Sequence, residues 1–337
     1  MKLHVPQLLV GTLALLAAAV APAHAETVKI AISKLIGYPA VPVAIEHGYF
    51  KEQGIEPEMV FFDSAQPVAI AVASGDTPFG ISGMSASFYT LAAGGQLRLI
   101  ASSAGDAPEF YNLAFVVSNK AYDGGLTSIK DLAGHSVAIT QAGTSLHYAV
   151  EQAAEKLGFP LSSVTVKALQ SNTNVVAALI GGTIDAGVLP GAPILGPLQK
   201  KEIRLLNWAA DVAPNLVGSA AFASAKELNE HGDTVKRFLV AYQKGMRDFH
   251  NAFASPDGKR ADQPTAPDIL AIMSKFTGVA PQEILKAIPY IDPEGRLDVD
   301  SVAAQIAWYK SQNLLKGDPN VHDLIDSRYA LKTESKK

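Results

Sequence analysis

The sequence predicts an α/β fold of two lobes. Strand-like and helix-like segments alternate through the first two thirds of the 337 residues, the last third reads as amphipathic helix, and one glycine-bearing pattern occurs twice. Alternation of this kind argues for parallel-sheet α/β units.

At the N-terminus, Lys2 precedes an apolar run from Leu8 to Val20 and a small-x-small site at Ala23-His24-Ala25. This is the form of a secretory signal, too short to span a bilayer comfortably. Residues 1–25 are expected to be removed, leaving a periplasmic chain that starts near Glu26. The remaining 312 residues (337 less 25) exceed what one core usually serves, which suits two lobes. There is no cysteine, so disulfides, thiolate metal sites and cysteine nucleophiles are excluded. Without Lys2 the 28 basic residues become 27, against 32 acidic ones, and no basic tract occurs. Nucleic acid is therefore not an expected partner.

The first strand is "VKIAI" (28–32), followed by "VPVAIEHG" (41–48) as helix. Next come "PFGIS" (78–82) with "SASFYTLAAGG" (85–95), then "SVAIT" (136–140), and "IDAGVL" (184–189) with "ILGPLQKK" (194–201). From Asp233 to His250, Val235, Phe238, Leu239, Tyr242, Met246 and Phe249 recur at helical spacing, and further helices are expected at 266–276, 281–288 and 299–312. The polar, proline-containing segment 254–268 reads as a surface loop, and the tail "KTESKK" as frayed.

The repeated pattern is "AVASGDTPFGISGMS" (71–85) and "ALIGGTIDAGVLPGA" (178–192), which align without gaps and pair Gly75 with Gly182 and Gly80 with Gly187. In each, a helix ends at glycine, a short strand follows, and a turn comes next. Short αβ units in any α/β protein share such glycines. Two lobes built on one plan would also produce the match, and would turn both loops toward one cleft beyond the strand ends.

Between the strand at Val137–Ile139 and a helix carrying Leu146, Ala149, Val150, Ala153 and Leu157 lies Gly143-Thr144-Ser145. A nucleophile elbow needs a small residue two places beyond its serine, and here that place holds His147. Nor can His147 serve Ser145 as a base, since side chains two apart on a helix diverge. A hydroxyl of Thr144 or Ser145 is expected to cap the helix instead. The free N–H groups there also suit an anion or a carbonyl oxygen.

Four segments, "AIEHGYFKEQGIEPEMVFF" (44–62), "VASGDTPFGISGMSA" (72–86), "TSIKDLAGHSVAITQAGTSLHY" (127–148) and "ALIGGTIDAGVLPGAP" (178–193), together with "AWYKSQNLL" (307–315), resemble in their order the periplasmic solute-binding proteins of the aliphatic sulfonate, nitrate and taurine transporter family. That family shares its fold with thiamine-pyrimidine-binding proteins. The resemblance covers nearly the whole exported chain. It implies a type II periplasmic-binding-protein fold with two hinge strands and a cleft between lobes. Lobe one would comprise 26–112 and 220–337, lobe two the inserted 113–219, with crossings near Leu113–Val117 and Gly218–Phe222. It further implies a monomer that binds an anionic small solute and hands it to a membrane permease with its ATPase, with no cofactor, metal or catalysis.

By the same resemblance the binding positions are Ser33, Lys34, Gly37 and Tyr38 after the first strand, Ser82, Gly83, Met84 and Ser85 after "FGIS", Gly143, Thr144 and Ser145, and Pro190 and Gly191. Sulfonate and taurine binders often carry a Trp-acid-Pro-Tyr segment at the last place, where this chain has Leu189-Pro190-Gly191-Ala192-Pro193. The aromatic wall and carboxylate are missing, which leaves room for a branched or aromatic sulfonate or carboxylate and no acceptor for taurine's amine. A Met at a helix start, as Met84 is, more often packs in the core.

A sensor input module would use the same cleft. An enzyme of the thiamine-pyrimidine branch would need a cysteine-rich motif this chain cannot form. Neither His-Glu-x-x-His nor a phosphate-cradling lysine loop occurs. His47, His135, His147, His231 and His250 lack metal-ligand spacing. Asp106 and Glu109 read as solvated loop residues, or as an acid pair lining the cleft.

Overall fold

The computed structural model describes Met1, residues 25–212, residue 216 and residues 218–331. Of the segment 1–25 expected to be a signal, residues 2–24 lie outside the described residues, as does the tail 332–337.

Among the described residues, twelve strands form three sheets. They are β1 (Glu26–Ile32), β2 (Ile55–Phe61), β3 (Phe79–Gly83), β4 (Leu97–Ser102), β5 (Ala104–Gly105), β6 (Leu113–Ser118), β7 (Ser136–Ile139), β8 (Thr165–Ala168), β9 (Ala186–Pro190), β10 (Ile203–Trp208), β11 (Ser219–Ser224) and β12 (Tyr290–Ile291). The first sheet runs β2-β1-β3-β11-β4, the second β10-β6-β9-β7-β8, and β5 pairs with β12.

Read from opposite edges, the two large sheets have one plan. In each, two parallel pairings bring three strands together (β2-β1-β3 and β8-β7-β9). Each central strand then takes an antiparallel neighbour, β11 beside β3 and β6 beside β9, which pairs antiparallel with the edge strand. The parallel pairings expected from the alternation are there, with antiparallel ones beside them. The sheets are mixed because β6 and β11, which follow the two passages between sheets, run against their neighbours. These passages are residues 106–112 and 209–218.

The sequence echo has a packing cause. A Cβ on Gly80 would come within 2.8 Å of Val72 and 2.7 Å of Phe222, and one on Gly187 within 3.2 Å of Leu179 and 3.1 Å of Val175. Val72 and Leu179 are themselves aligned partners. In both sheets a helix drops a branched side chain onto a glycine of the central strand, which lets helix and strand approach closely.

The helix Gly232–Phe253 buries Val235, Phe238, Leu239, Tyr242, Met246 and Phe249, as its spacing predicts. Phe238 stacks on Phe79 of β3 with ring centroids 4.0 Å apart. Such a pair contributes ~0.5–1.5 kcal/mol beyond area burial. Helices Ala266–Thr277 and Val299–Ser311 follow, so the loop after Phe253 ends at Thr265 and not at Asp268. At 281–288 only Pro281–Ile284 is α-helical, and Leu285–Ala287 tightens into a 3₁₀ turn. Among the described residues no helix is long and apolar enough to cross a membrane.

Candidate functional site

The two sheets meet at their turns. Ala86 N–H donates to Gly143 C=O at 2.6 Å and Ser145 N–H to Met84 C=O at 3.0 Å, so the turn after β3 clasps the turn after β7. Gly143 is required there, since its φ is +71° and a Cβ would meet Ala86 Cβ at 2.8 Å.

Beside this clasp lies a cavity of about 50 Å³. Ser33, Gly37 and Tyr38 reach it from the loop after β1, Gly83 from the end of β3, Thr144 and Ser145 from the helix start, and Pro190 from the end of β9. Gly83 and Pro190 are aligned partners in the repeated pattern, so the echo's two turns do face one space. The cavity lies between the sheets, beyond the carboxyl ends of β1, β3, β7 and β9, the usual place for ligands in open α/β sheets. None of its lining side chains is charged.

It opens beside Ser33, Leu35 and Asn172 into a wider recess of about 480 Å³, lined also by Lys34, Phe61, Asp63, Ala192 and Pro193. Lys34 belongs to this outer recess, where its Nζ stands 4.6 Å from the Phe61 ring centroid.

The remaining sequence candidates do other things. Ser82 is buried and donates to Gly83 C=O at 3.1 Å. Ser85 caps the helix Ala86–Ala93 by accepting from Phe88 N–H at 3.1 Å. Met84 packs in the core and takes the Tyr89 hydroxyl on its sulfur at 3.8 Å. Gly191 packs on Ala287, and its N–H donates to Asn112 C=O at 3.0 Å.

The expected hydroxyl cap on the helix Ser145–Leu157 does not form. Thr144 donates its hydroxyl to Gln141 C=O at 2.9 Å, a bond within its own turn, and no side chain caps this helix. The N–H groups of Leu146 and His147 consequently find no partner among the described residues. His147 turns back instead, and its Nδ1 accepts from Gly143 N–H at 3.2 Å. Burial pushes its pKa below the ordinary histidine value, as suits a neutral acceptor ring packed edge-on to Trp308. That nitrogen is not directed at Ser145. Burial also pushes the Tyr38 phenol up, against a smaller opposing effect of the Gly83 N–H.

Residues that no motif marked complete the lining. Ser64, Asn112, Thr140 and Asn172 join it from four different segments. The hydroxyls of Ser33, Ser64, Thr140 and Ser145 make no hydrogen bond to the described residues. Asn172 Oδ1 is buried without a partner. Asp106 is no solvated loop residue. It is 2% exposed, and its Oδ1 accepts the N–H groups of Asn112 and Leu113 at 3.0 and 3.4 Å. Burial drives its pKa up to about 7 in spite of those bonds. Among the described residues no cluster of histidine and carboxylate is fit to hold a metal.

The sequence pattern of the family described as NMT1/THI5 like matches residues 39–257, well over half of the chain. The chain belongs to that family. No curated protein sequence matches it. Its fold is that of periplasmic binding proteins. The periplasmic aliphatic sulphonate binding protein SsuA from Escherichia coli is 18% identical over 93% of this chain and 95% of its own, with a TM-score of 0.68. The alkanesulfonate-binding SsuA from Xanthomonas axonopodis pv. citri, bound to MOPS, is 17% identical over 91% and 98%, with a TM-score of 0.69. The periplasmic nitrate-binding protein NrtA from Synechocystis PCC 6803 is 12% identical over 91% and 86%, also at 0.69.

Proposed function

We propose that this NMT1/THI5-like protein is the extracytoplasmic solute-binding component of an ABC importer, which captures a small organic anion between its lobes and delivers it to a permease. The observation that carries this reading is the uncharged cavity. It offers unpaired hydroxyls, two amides and free helix N–H groups, and no cation. Such a set can hold an oxyanion by dipoles, as helix N-termini do, without burying a salt bridge. The names of the neighbouring sulfonate and nitrate binders agree with that chemistry.

Size divides the solute between two compartments. A buried water occupies ~10–15 Å³ on this measure, so the cavity of about 50 Å³ takes a head group such as sulfonate, nitrate or carboxylate. The organic part, branched or aromatic, then lies in the recess by Phe61, Ala192 and Pro193, where the family's aromatic wall is missing. Ser33, Gly37, Tyr38, Gly83, Thr144, Ser145 and Pro190 surround the head group in this reading. Export with cleavage after Ala25, a monomeric state and the absence of turnover belong to the same proposal. It also takes 26–112 with 220–337 and 113–219 as the two lobes.

Calorimetry with nitrate, alkanesulfonates and aliphatic and aromatic carboxylates tests it. Wild type should bind at least one of them, and Ser145→Ala should weaken that binding roughly ten- to a hundredfold, since a hydrogen bond to a charged group contributes ~1.5–3 kcal/mol. Thr144→Ala should also weaken it, partly by freeing the turn held through Gln141. Unchanged affinity in both variants would move the binding site elsewhere.

A further inference from the structure

Asn112 occupies the floor of the cavity, in the passage that leads from the first sheet to the second. Its backbone is fixed on both sides. Its N–H donates to Asp106 Oδ1 at 3.0 Å, and its C=O accepts from Gly191 N–H at 3.0 Å. Its side chain is wedged between two glycines. A Cβ on Gly37 would come 2.8 Å from Oδ1, and a Cβ on Gly218 2.7 Å from Nδ2. The residue is 8% exposed and borders the cavity, yet its Nδ2 donates to no acceptor among the described residues.

The amide borders the cavity with no acceptor for its donors among the described residues, and the surrounding structure fixes its position. Two glycines from separate segments make room for it, and a buried carboxylate holds its backbone. An acceptor atom brought into the cavity would recover the missing bond. The cavity's hydroxyls donate or accept by rotating and the Asn172 amide is left with an unpartnered Oδ1, whereas the NH₂ of Asn112 only donates. Asn112 therefore adds a fixed donor to the site.

We propose that Asn112 is the specificity-determining residue of the cavity: its Nδ2 donates to an oxygen of the solute's head group, selecting ionised oxyanions over protonated or cationic groups of similar size. This rests on the oxyanion reading above and adds the residue that enforces it. Asn112→Asp tests it most directly, because the side chain keeps its shape between Gly37 and Gly218 while losing both donors and gaining a negative charge.

Calorimetry should be run with the best-binding sulfonate, nitrate or carboxylate of the panel on wild type, Asn112→Asp and Asn112→Ala. Fold is checked by circular dichroism. The Asp variant should lose at least a hundredfold in affinity, and the Ala variant ten- to a hundredfold. In ¹⁵N-labelled wild type, the Asn112 side-chain NH₂ resonances, assigned by their absence from Asn112→Ala, should shift on titration with the same anion. That measurement stands even if the Asp variant does not fold. An NH₂ signal that stays fixed at saturation, or folded variants that bind within twofold of wild type, overturns the role of Asn112 and leaves the oxyanion reading intact. Failure of wild type to bind any anion of the panel overturns the oxyanion reading and this inference with it.

Discussion

Asp106 supports both passages between the sheets. Its carboxylate accepts from Asn112 and Leu113 on one, and its N–H donates to Leu216 C=O at 3.2 Å on the other. Its Oδ2 is buried without a donor, and nearby Asp211 adds to the effect of burial in disfavouring the ionised form. The pKa of about 7 lies above the unfolded value of ~3.9, so between those values the folded state holds a proton that the unfolded state releases. Stability contributed at this site is therefore full below about pH 4 and falls as pH rises toward 7. A shift of roughly three units sets an upper bound of ~4 kcal/mol. Asp106→Asn removes the titration. From pH 4 to 7.5, urea midpoints should show the variant gaining on wild type by ~1–4 kcal/mol. A difference independent of pH would mean that Asp106 stays ionised in the folded protein.

Among the elements, three helices are tied by one histidine. His47, just past the helix Ala40–Glu46, places Nδ1 2.7 Å from Asp248 on the helix Gly232–Phe253 and Nε2 2.9 Å from Asp268 on the helix Ala266–Thr277. Partial burial disfavours its charge, but the two carboxylates outweigh that, and the pKa is raised. The stabilisation is complete below the unfolded value of ~6.5 and lost as pH rises through the higher folded value. Because Asp268 is largely exposed, the contribution is screened to ~1 kcal/mol or less. Thermal melts at low salt should show His47→Ala lowering Tm by a few degrees at pH 5.5 and by less at pH 8.5, with the gap narrowing in high salt. An equal loss at both pH values would assign the effect to packing, since His47 also sits edge-on to Tyr49.

For the whole molecule, the two proposed lobes, joined by two passages, predict closure by rotation about them, with the clasp between turns 84–86 and 143–145 as the contact that forms on closing. Each clasp hydrogen bond contributes ~0.5–1.5 kcal/mol, little enough for solvent to compete in the absence of solute. Solute that touches both sheets would then tip the balance toward the closed form. Small-angle scattering should show a smaller radius of gyration when a verified anion is added at saturation. An identical radius with and without bound anion would mean that the protein is already closed, and would remove hinge motion from the proposal.

The sequence by itself determined what depends on local periodicity and on close backbone approach. The face of the Gly232–Phe253 helix follows from side-chain spacing, the shared plan of the sheets from Gly80 and Gly187, and the turn at Gly143 from the strand and helix patterns that flank it. The family was legible too, because its segments recur in order along the chain. Only the tertiary structure decided which polar groups remain unpaired. Thr144 reads as a cap until Gln141 C=O takes its hydroxyl, and Lys34 gives no hint in the sequence that its side chain lies over Phe61 in the outer recess. Asp106 reads as a loop acid until the two passages bury it. Asn112 carries no signal at all, since its place depends on Gly37, 75 residues before it, and Gly218, 106 residues after it, meeting across the cavity floor. Hydrogen-bond satisfaction is a property of neighbours in space, and these neighbours come from segments far apart in the chain.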